Sequence, residues 1–304
     1  MERCPAEVLF TIFELACDDD GSTGRSLSLV SRLINHMSSE YKLRSVAIIG
    51  LQRLIPFARM LASIPERQRR VRHLFFSTMA QKPGEGTGKL HAVTDSVYDE
   101  NRTAWIQIIQ MISSTLRTCR AVSHLPRTTI LLPVSCPNLV ELTLQGQFPV
   151  LLYTNHTPQF PSLRSLTFSA FNDYPVYLFN DIVLQAPALE ELTLLPAQPS
   201  RNLHNDLYAT LDINPQSSRC SPPPDYFPTT RLPATVSRVY VQPGPEIISE
   251  SRNASCLKNV QIIMKRKILH MQKHDQRNRV KFLRPGPPLV FEDALVEWLG
   301  RERL

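Results

Sequence analysis

Glycine is scarce in this 304-residue chain, with 10 copies against 25 prolines. That balance excludes a collagen-like or glycine-rich flexible chain and predicts punctuation by rigid turns. Long hydrophobic runs are missing as well. Uncharged apolar stretches such as Val46–Leu51 fall far short of the roughly 20 residues of a membrane helix, so no membrane partner is expected. The first apolar segment, Val8–Leu15, is broken by Glu14 and lacks a small-residue cleavage site, unlike a secretory signal. Six cysteines are widely spaced with no C-x-x-C pair, which predicts reduced, mostly buried thiols and a cytoplasmic or nuclear location.

Catalytic signatures are also lacking. Gly84-Glu85-Gly86-Thr87-Gly88-Lys89 invites a phosphate-loop reading, but Pro83 stands where the first glycine is needed and Leu90 where Ser or Thr would hold magnesium. His270 and His274 have an i, i+4 spacing that can bind zinc, yet Met271 replaces the glutamate of H-E-x-x-H and no carboxylate or cysteine set lies near them. No serine sits in G-x-S-x-G. The expectation is a non-enzyme with no cofactor and no metal.

What is present is a hydrophobic share of 42% and a mean hydropathy of -0.16, the profile of a globular chain long enough for two domains or one elongated one. The net charge of +7 is not evenly spread. Between residues 258 and 284 nine basic residues face the single acid Asp275, a local charge of +8, so the remainder sums to −1. Lys265, Arg266, Lys267, Arg277, Arg279 and Lys281 are the candidate basic surface, with Arg67, Arg69, Arg70 and Arg72 as a smaller cluster. Aromatic residues do not interleave the basic ones before Phe282, so nucleic acid is a possible but not a favoured partner; a solvated face or a protein contact is preferred.

A repeat runs through the middle. Pro137-Asn138-Leu139-Val140-Glu141-Leu142-Thr143-Leu144 matches the eight residues from Pro161 to Phe168, and again those from Pro187 to Leu194. The shared form is P-x-L-x-x-L-T-φ. Weaker copies are Val71-x-x-Leu74-x-Phe76, Val236-x-x-Val239-x-Val241 and Leu257-x-x-Val260-x-Ile262. Periods of 20–29 residues with this leucine pattern predict leucine-rich repeats, each a short strand whose alternate apolar residues point inward. Helices are expected at 104–116 and 176–185, and loop insertions at about 80–95 and 198–233, the latter rich in Pro, Ser and Asn.

The N-terminus predicts three helices. The first follows Pro5 with Val8, Leu9, Ile12 and Phe13 on its apolar face; 17–24 reads as a loop; a second, carrying Leu27, Leu29, Val30, Leu33, Ile34 and Met37, is followed by a short third at 39–45 and a strand at 46–49. Pro5-Ala6-Glu7-Val8-Leu9, Ile12-Phe13-Glu14-Leu15-Ala16 and Leu27-Ser28-Leu29-Val30-Ser31-Arg32 together resemble an F-box, most closely the F-box-like proteins of mushroom-forming basidiomycete fungi, in which degenerate leucine-rich repeats follow. Cys4 stands where the family has leucine, and the tryptophan that commonly follows the arginine is missing.

The resemblance implies an α/β chain with an N-terminal helical F-box-like unit (1–49) followed by an irregular leucine-rich-repeat-like solenoid (50–300). It further implies a substrate-recognition subunit of a cullin-RING ubiquitin ligase. Pro5, Val8, Leu9, Ile12, Phe13, Leu29 and Val30 would dock on a Skp-family adaptor of the cullin complex, and the repeats on an unidentified target protein. The alternative is a repeat scaffold outside ubiquitin transfer that binds acidic proteins or nucleic acid through 258–284.

Overall fold

The computed structural model describes residues 4–78, 95–123, 134–146, 159–172, 174, 178–200, 202–213, 231–247, 252–286 and 291–300. In chain order the elements are α1 (Ala6–Ala16), α2 (Ser22–Val30), α3 (Arg32–Met37), β1 (Ser45–Ile49), α4 (Leu54–Ser63), β2 (His73–Ser77), α5 (Asp95–Ile112), β3 (Thr118–Ser123), β4 (Glu141–Gly146), β5 (Ser165–Phe171), α6 (Leu178–Gln185), β6 (Glu191–Pro196), α7 (Leu203–Thr210), β7 (Arg238–Val241), α8 (Arg252–His274), β8 (Val280–Phe282) and α9 (Phe291–Gly300). The chain is of the α/β class, with parallel strands and helices alternating along it. It divides into two compact units: 1–128 with 134–139 and 290–304, and 129–133 with 140–289.

In the first unit, β1, β2 and β3 pair in parallel, each with the next. Side chains alternate across the strands. Phe76 of β2 stacks on Trp105 of α5, with ring centroids 4.5 Å apart. Phe75, on the opposite face, meets Trp298 of α9. The helices α1, α2 and α3 precede these strands. Leu9 and Phe13, one turn apart on α1, pack with Ile34 of α3 and with the partly buried Cys4, Leu27, Met37 and Tyr41. Arg44, leading into β1, hydrogen-bonds Glu14 of α1, which also accepts from Arg72 at 3.1 Å. The smaller arginine cluster is occupied in the same way: Arg70 pairs with Glu40 at 2.9 Å and Arg69 donates to the carbonyls of Ile64 and Ala62.

Three local expectations for this segment change. The single second helix is two, because Ser31 adopts an extended backbone (φ −164°, ψ 164°) and its hydroxyl caps α3 by accepting from the Ile34 amide. Residues 39–44 form a turn rather than a third helix, and Ser45 already belongs to β1. The supposed 17–24 loop ends at Gly21, where Asp19 accepts from the amides of Gly21 and Thr23 and from the Ser22 hydroxyl and so starts α2. Gly24, one of the few glycines, lies inside that helix against the Lys42 carbonyl, where a Cβ would come within 2.4 Å.

In the second unit, β4 to β8 pair in parallel, again each with the next. The three clear repeats stack residue for residue: Glu141, Ser165 and Glu191 are in register, as are the leucines that follow. One carbonyl ahead of β4, β5 and β6 accepts two successive amides of the next strand's approach. Val140 takes Arg164 and Ser165, Arg164 takes Glu190 and Glu191, and Glu190 takes Ser237 and Arg238. Arg44 and Arg72 do the same in the first unit, so the weaker copy at Val71 follows the same rule. At Ser169–Phe171 the register slips, with Ala170 at φ +54°, and Phe171 turns inward to full burial.

The copies at Val71 and Val236 supply β2 and β7, but Leu257-x-x-Val260-x-Ile262 lies within α8. There the apolar spacing continues through Met264, Ile268 and Met271 at the helical period, and those three are fully buried. The expected loop at 198–233 contains α7, whose Leu203 and Leu207 are also fully buried. The helix expected at 104–116 spans Asp95–Ile112, and that at 176–185 spans Leu178–Gln185. Residues 79–94, which hold the Gly84–Lys89 segment, and 214–230 lie outside the described residues.

Candidate functional site

The structure sorts the seven apolar N-terminal candidates into two groups. Leu9 and Phe13 (3% exposed) are core, where they hold α1 against α3. Val8, Ile12 (49% exposed), Leu29 (87% exposed) and Val30 are exposed, as is Pro5. Leu15 extends the Val8–Ile12 stripe and Leu33 follows Val30 in sequence, both well exposed and neither among the docking candidates. The short unit thus carries an apolar interior and further apolar side chains facing solvent, the kind of exposed surface that is able to contact a partner.

The second candidate is the strand face of the second unit that turns away from its helices. Leu142, Leu166 and Phe168 point toward Leu178 and Ile182 of α6 around a small apolar cavity. The alternate residues form rows across the strands: Thr143, Thr167, Thr193, Tyr240 and Lys281 in one row, and Glu141, Ser165, Glu191 and Arg238 in the next. Arg238 pairs with Glu191 at 3.2 Å. The three threonines of the first row are the threonine of P-x-L-x-x-L-T-φ. It sits between two inward apolar residues and therefore points to the opposite side of the strands, where Thr167 and Thr193 are half-buried but Thr143 is only 2% exposed.

The basic candidates differ in exposure and in pairing. Lys265, Arg266 and Arg277 are exposed, and Lys267 is half-buried. Lys281 lies at the end of the hydroxyl row and donates to Asn278 at 3.1 Å. Arg279 is not free: its guanidinium holds Asp275 (side chain 1% exposed) at 2.9 Å and donates to the Leu211 carbonyl at 2.7 Å. The two histidines that suggested zinc stack with ring centroids 3.9 Å apart; His274 Nδ1 bonds the His270 carbonyl and His270 Nδ1 meets the Tyr208 hydroxyl at 2.7 Å. Among the described residues no cluster of three potential metal ligands exists.

Several titratable groups shifted by burial are not among either set of candidates. Burial pushes the Cys17 thiol up to about 11 and the Cys136 thiol up to about 12, so neither is a nucleophile near neutrality. Tyr174 donates to Asp206 at 2.5 Å, and burial raises that carboxyl despite the bond. His204 is buried, and desolvation, with a smaller contribution from Lys267, pushes it down to about 4. Its effect on stability has a definite sign. The unfolded chain takes up the proton near pH 6.5 and the folded chain only near 4, so stability falls as pH drops through that window. Burial raises Asp181 to about 6, which acts oppositely between pH 4 and 6. His204→Gln should therefore gain on the native chain by about 1–3 kcal/mol on moving from pH 7 to 4.5, read from urea midpoints at both values. A pH-independent difference would refute the assignment.

No helix among the described residues is long and apolar enough to cross a membrane. Among protein-family models, curated proteins and solved structures, nothing matches the chain.

Proposed function

We propose that the chain is a substrate-recognition subunit of a cullin-RING ubiquitin ligase. Residues 4–45 act as the F-box-like unit that docks on a Skp-family adaptor, and the strand faces of a leucine-rich-repeat-like solenoid hold the target protein. The recognition subunit performs no chemistry; it raises the effective concentration of target lysines beside the ligase. The observation that carries this reading is the split within α1, where Leu9 and Phe13 close the helical unit while Val8, Ile12 and Leu15 remain exposed one turn apart. An exposed apolar stripe that the unit does not need for its own fold suits a partner. The accessible part of the polar strand face, with Thr167, Thr193, Glu191 and Arg238, suits a protein target.

Nucleic-acid binding through 258–284 is less well supported, since Arg279 is committed to Asp275 and the exposed part of α8 mixes Ile262, Ile263 and Leu269 with its basic residues.

Ile12→Asp is the clean test. It should lower adaptor co-purification at least tenfold with an unchanged melting temperature, because Ile12 is half exposed. Undiminished co-purification would overturn the proposal.

A further inference from the structure

We propose that the β1–β3 strand face opposite α4 and α5 is a recognition site for a short acidic amphipathic helix, and that α9 is its built-in occupant, displaceable by a partner helix of the same chemistry. The inference does not depend on adaptor docking.

The face is built by register. Ala47, Phe75 and Arg120 lie side by side across the three strands, with Ile49 and Val122 one row on. α9 lays Ala294, Leu295 and Trp298 over Ile49, Phe75 and Val122, and Trp298 meets Phe75 at 5.5 Å between ring centroids. Spacing of i, i+1 and i+4 makes these one side of the helix. The site therefore accepts a helix with an aromatic anchor and small or aliphatic neighbours, as its present occupant demonstrates.

Arg120 supplies the charge preference and marks the fit as incomplete. It is a guanidinium set beside the apolar residues that α9 covers, and only 3% exposed. Its Nη2 donates to Glu297 at 2.8 Å, but Glu297 is half exposed and takes no other part of the fork. Arg120 Nε and Nη1 are buried with no partner among the described residues. A guanidinium presents parallel donors that a carboxylate can accept two at a time, and buried charged donors left unmade are costly. A partner helix whose acid reaches further in would satisfy what α9 leaves open. α9 is 10 residues long, too short to persist as a free helix, so its release and its unfolding coincide.

The probe is a fluorescently labelled synthetic peptide with the sequence of residues 290–300, titrated into the full chain and read by anisotropy. The double variant Ala294→Asp, Trp298→Ala weakens the internal occupant and should bind the peptide at least tenfold more tightly than the native chain. A peptide carrying Glu297→Arg should lose at least tenfold, and Arg120→Glu in the double-variant chain should recover it. Equal weak binding to both chains, or indifference to the charge exchange, would overturn the proposal. Should the double variant fail to fold, hydrogen exchange on the native chain decides. Saturating peptide should speed exchange of the 291–300 amides at least tenfold while β2 stays protected, and unchanged exchange there would overturn it equally.

Discussion

Replacing Asp275 with alanine is expected to destabilise the second unit by about 3–5 kcal/mol, among the largest effects of any single change in the chain. Its carboxylate organises the turn from α8 into β8. It accepts the backbone amides of Arg277, Arg279 and Val280, and it holds the Arg279 guanidinium that also reaches back to the Leu211 carbonyl. Asn278, at φ +52°, makes that turn in the left-handed region that asparagine tolerates. Removing the acid leaves a partly buried cation with the Leu211 carbonyl alone and frees three amides at once. Burial alone would raise the Asp275 carboxyl, but the Arg279 and backbone hydrogen bonds outweigh it and hold it below its usual range. The stabilisation is therefore complete above pH 4 and is lost as pH falls through the depressed value. A double-mutant cycle with Arg279→Met should show coupling above about 1 kcal/mol in denaturant midpoints; additive effects would refute the arrangement.

Phe13→Ala is expected to cost about 3–5 kcal/mol, through the cavity it leaves between α1 and α3. In so small a helical unit that is enough to unfold it. Leu29→Ala, at a side chain 87% exposed, should stay within about 0.5 kcal/mol. Far-ultraviolet circular dichroism and thermal melts read both. Equal effects would mean that the two stripes of α1 and α2 are assigned the wrong way round. The comparison also guards the adaptor test, because loss of co-purification in a Phe13 variant reports unfolding whereas loss in an Ile12 variant reports the surface.

The repeat was legible because its signal is local and periodic. P-x-L-x-x-L-T-φ marks where β4, β5 and β6 lie, although each strand runs two or three residues past the motif, and its threonine falls on the side away from the leucines. Where the sequence misled, a short pattern satisfied two geometries. Leu257, Val260 and Ile262 suit a repeat strand, but only the next ten residues reveal the helical period. α7 was hidden by composition, since Leu203, Leu207 and Leu211 sit among polar residues and ahead of a proline-rich stretch. In α1 both stripes are apolar, so no pattern in the helix alone could say which one faces the core. The pairings of Phe75 with Trp298 and of Arg120 with Glu297 join residues far apart in sequence, and nothing local announces them.

That last pairing has a consequence in time. The strands β1, β2 and β3 are complete once Ser123 has been synthesised, but the helix that covers Ile49, Phe75 and Val122 begins about 170 residues later. At about 5–20 residues per second, translation leaves that apolar face without its resident helix for roughly 10–30 s. During that interval the nascent chain presents a hydrophobic patch with a buried-type arginine at its centre. Whatever chaperone or partner meets it there competes with a segment that does not yet exist.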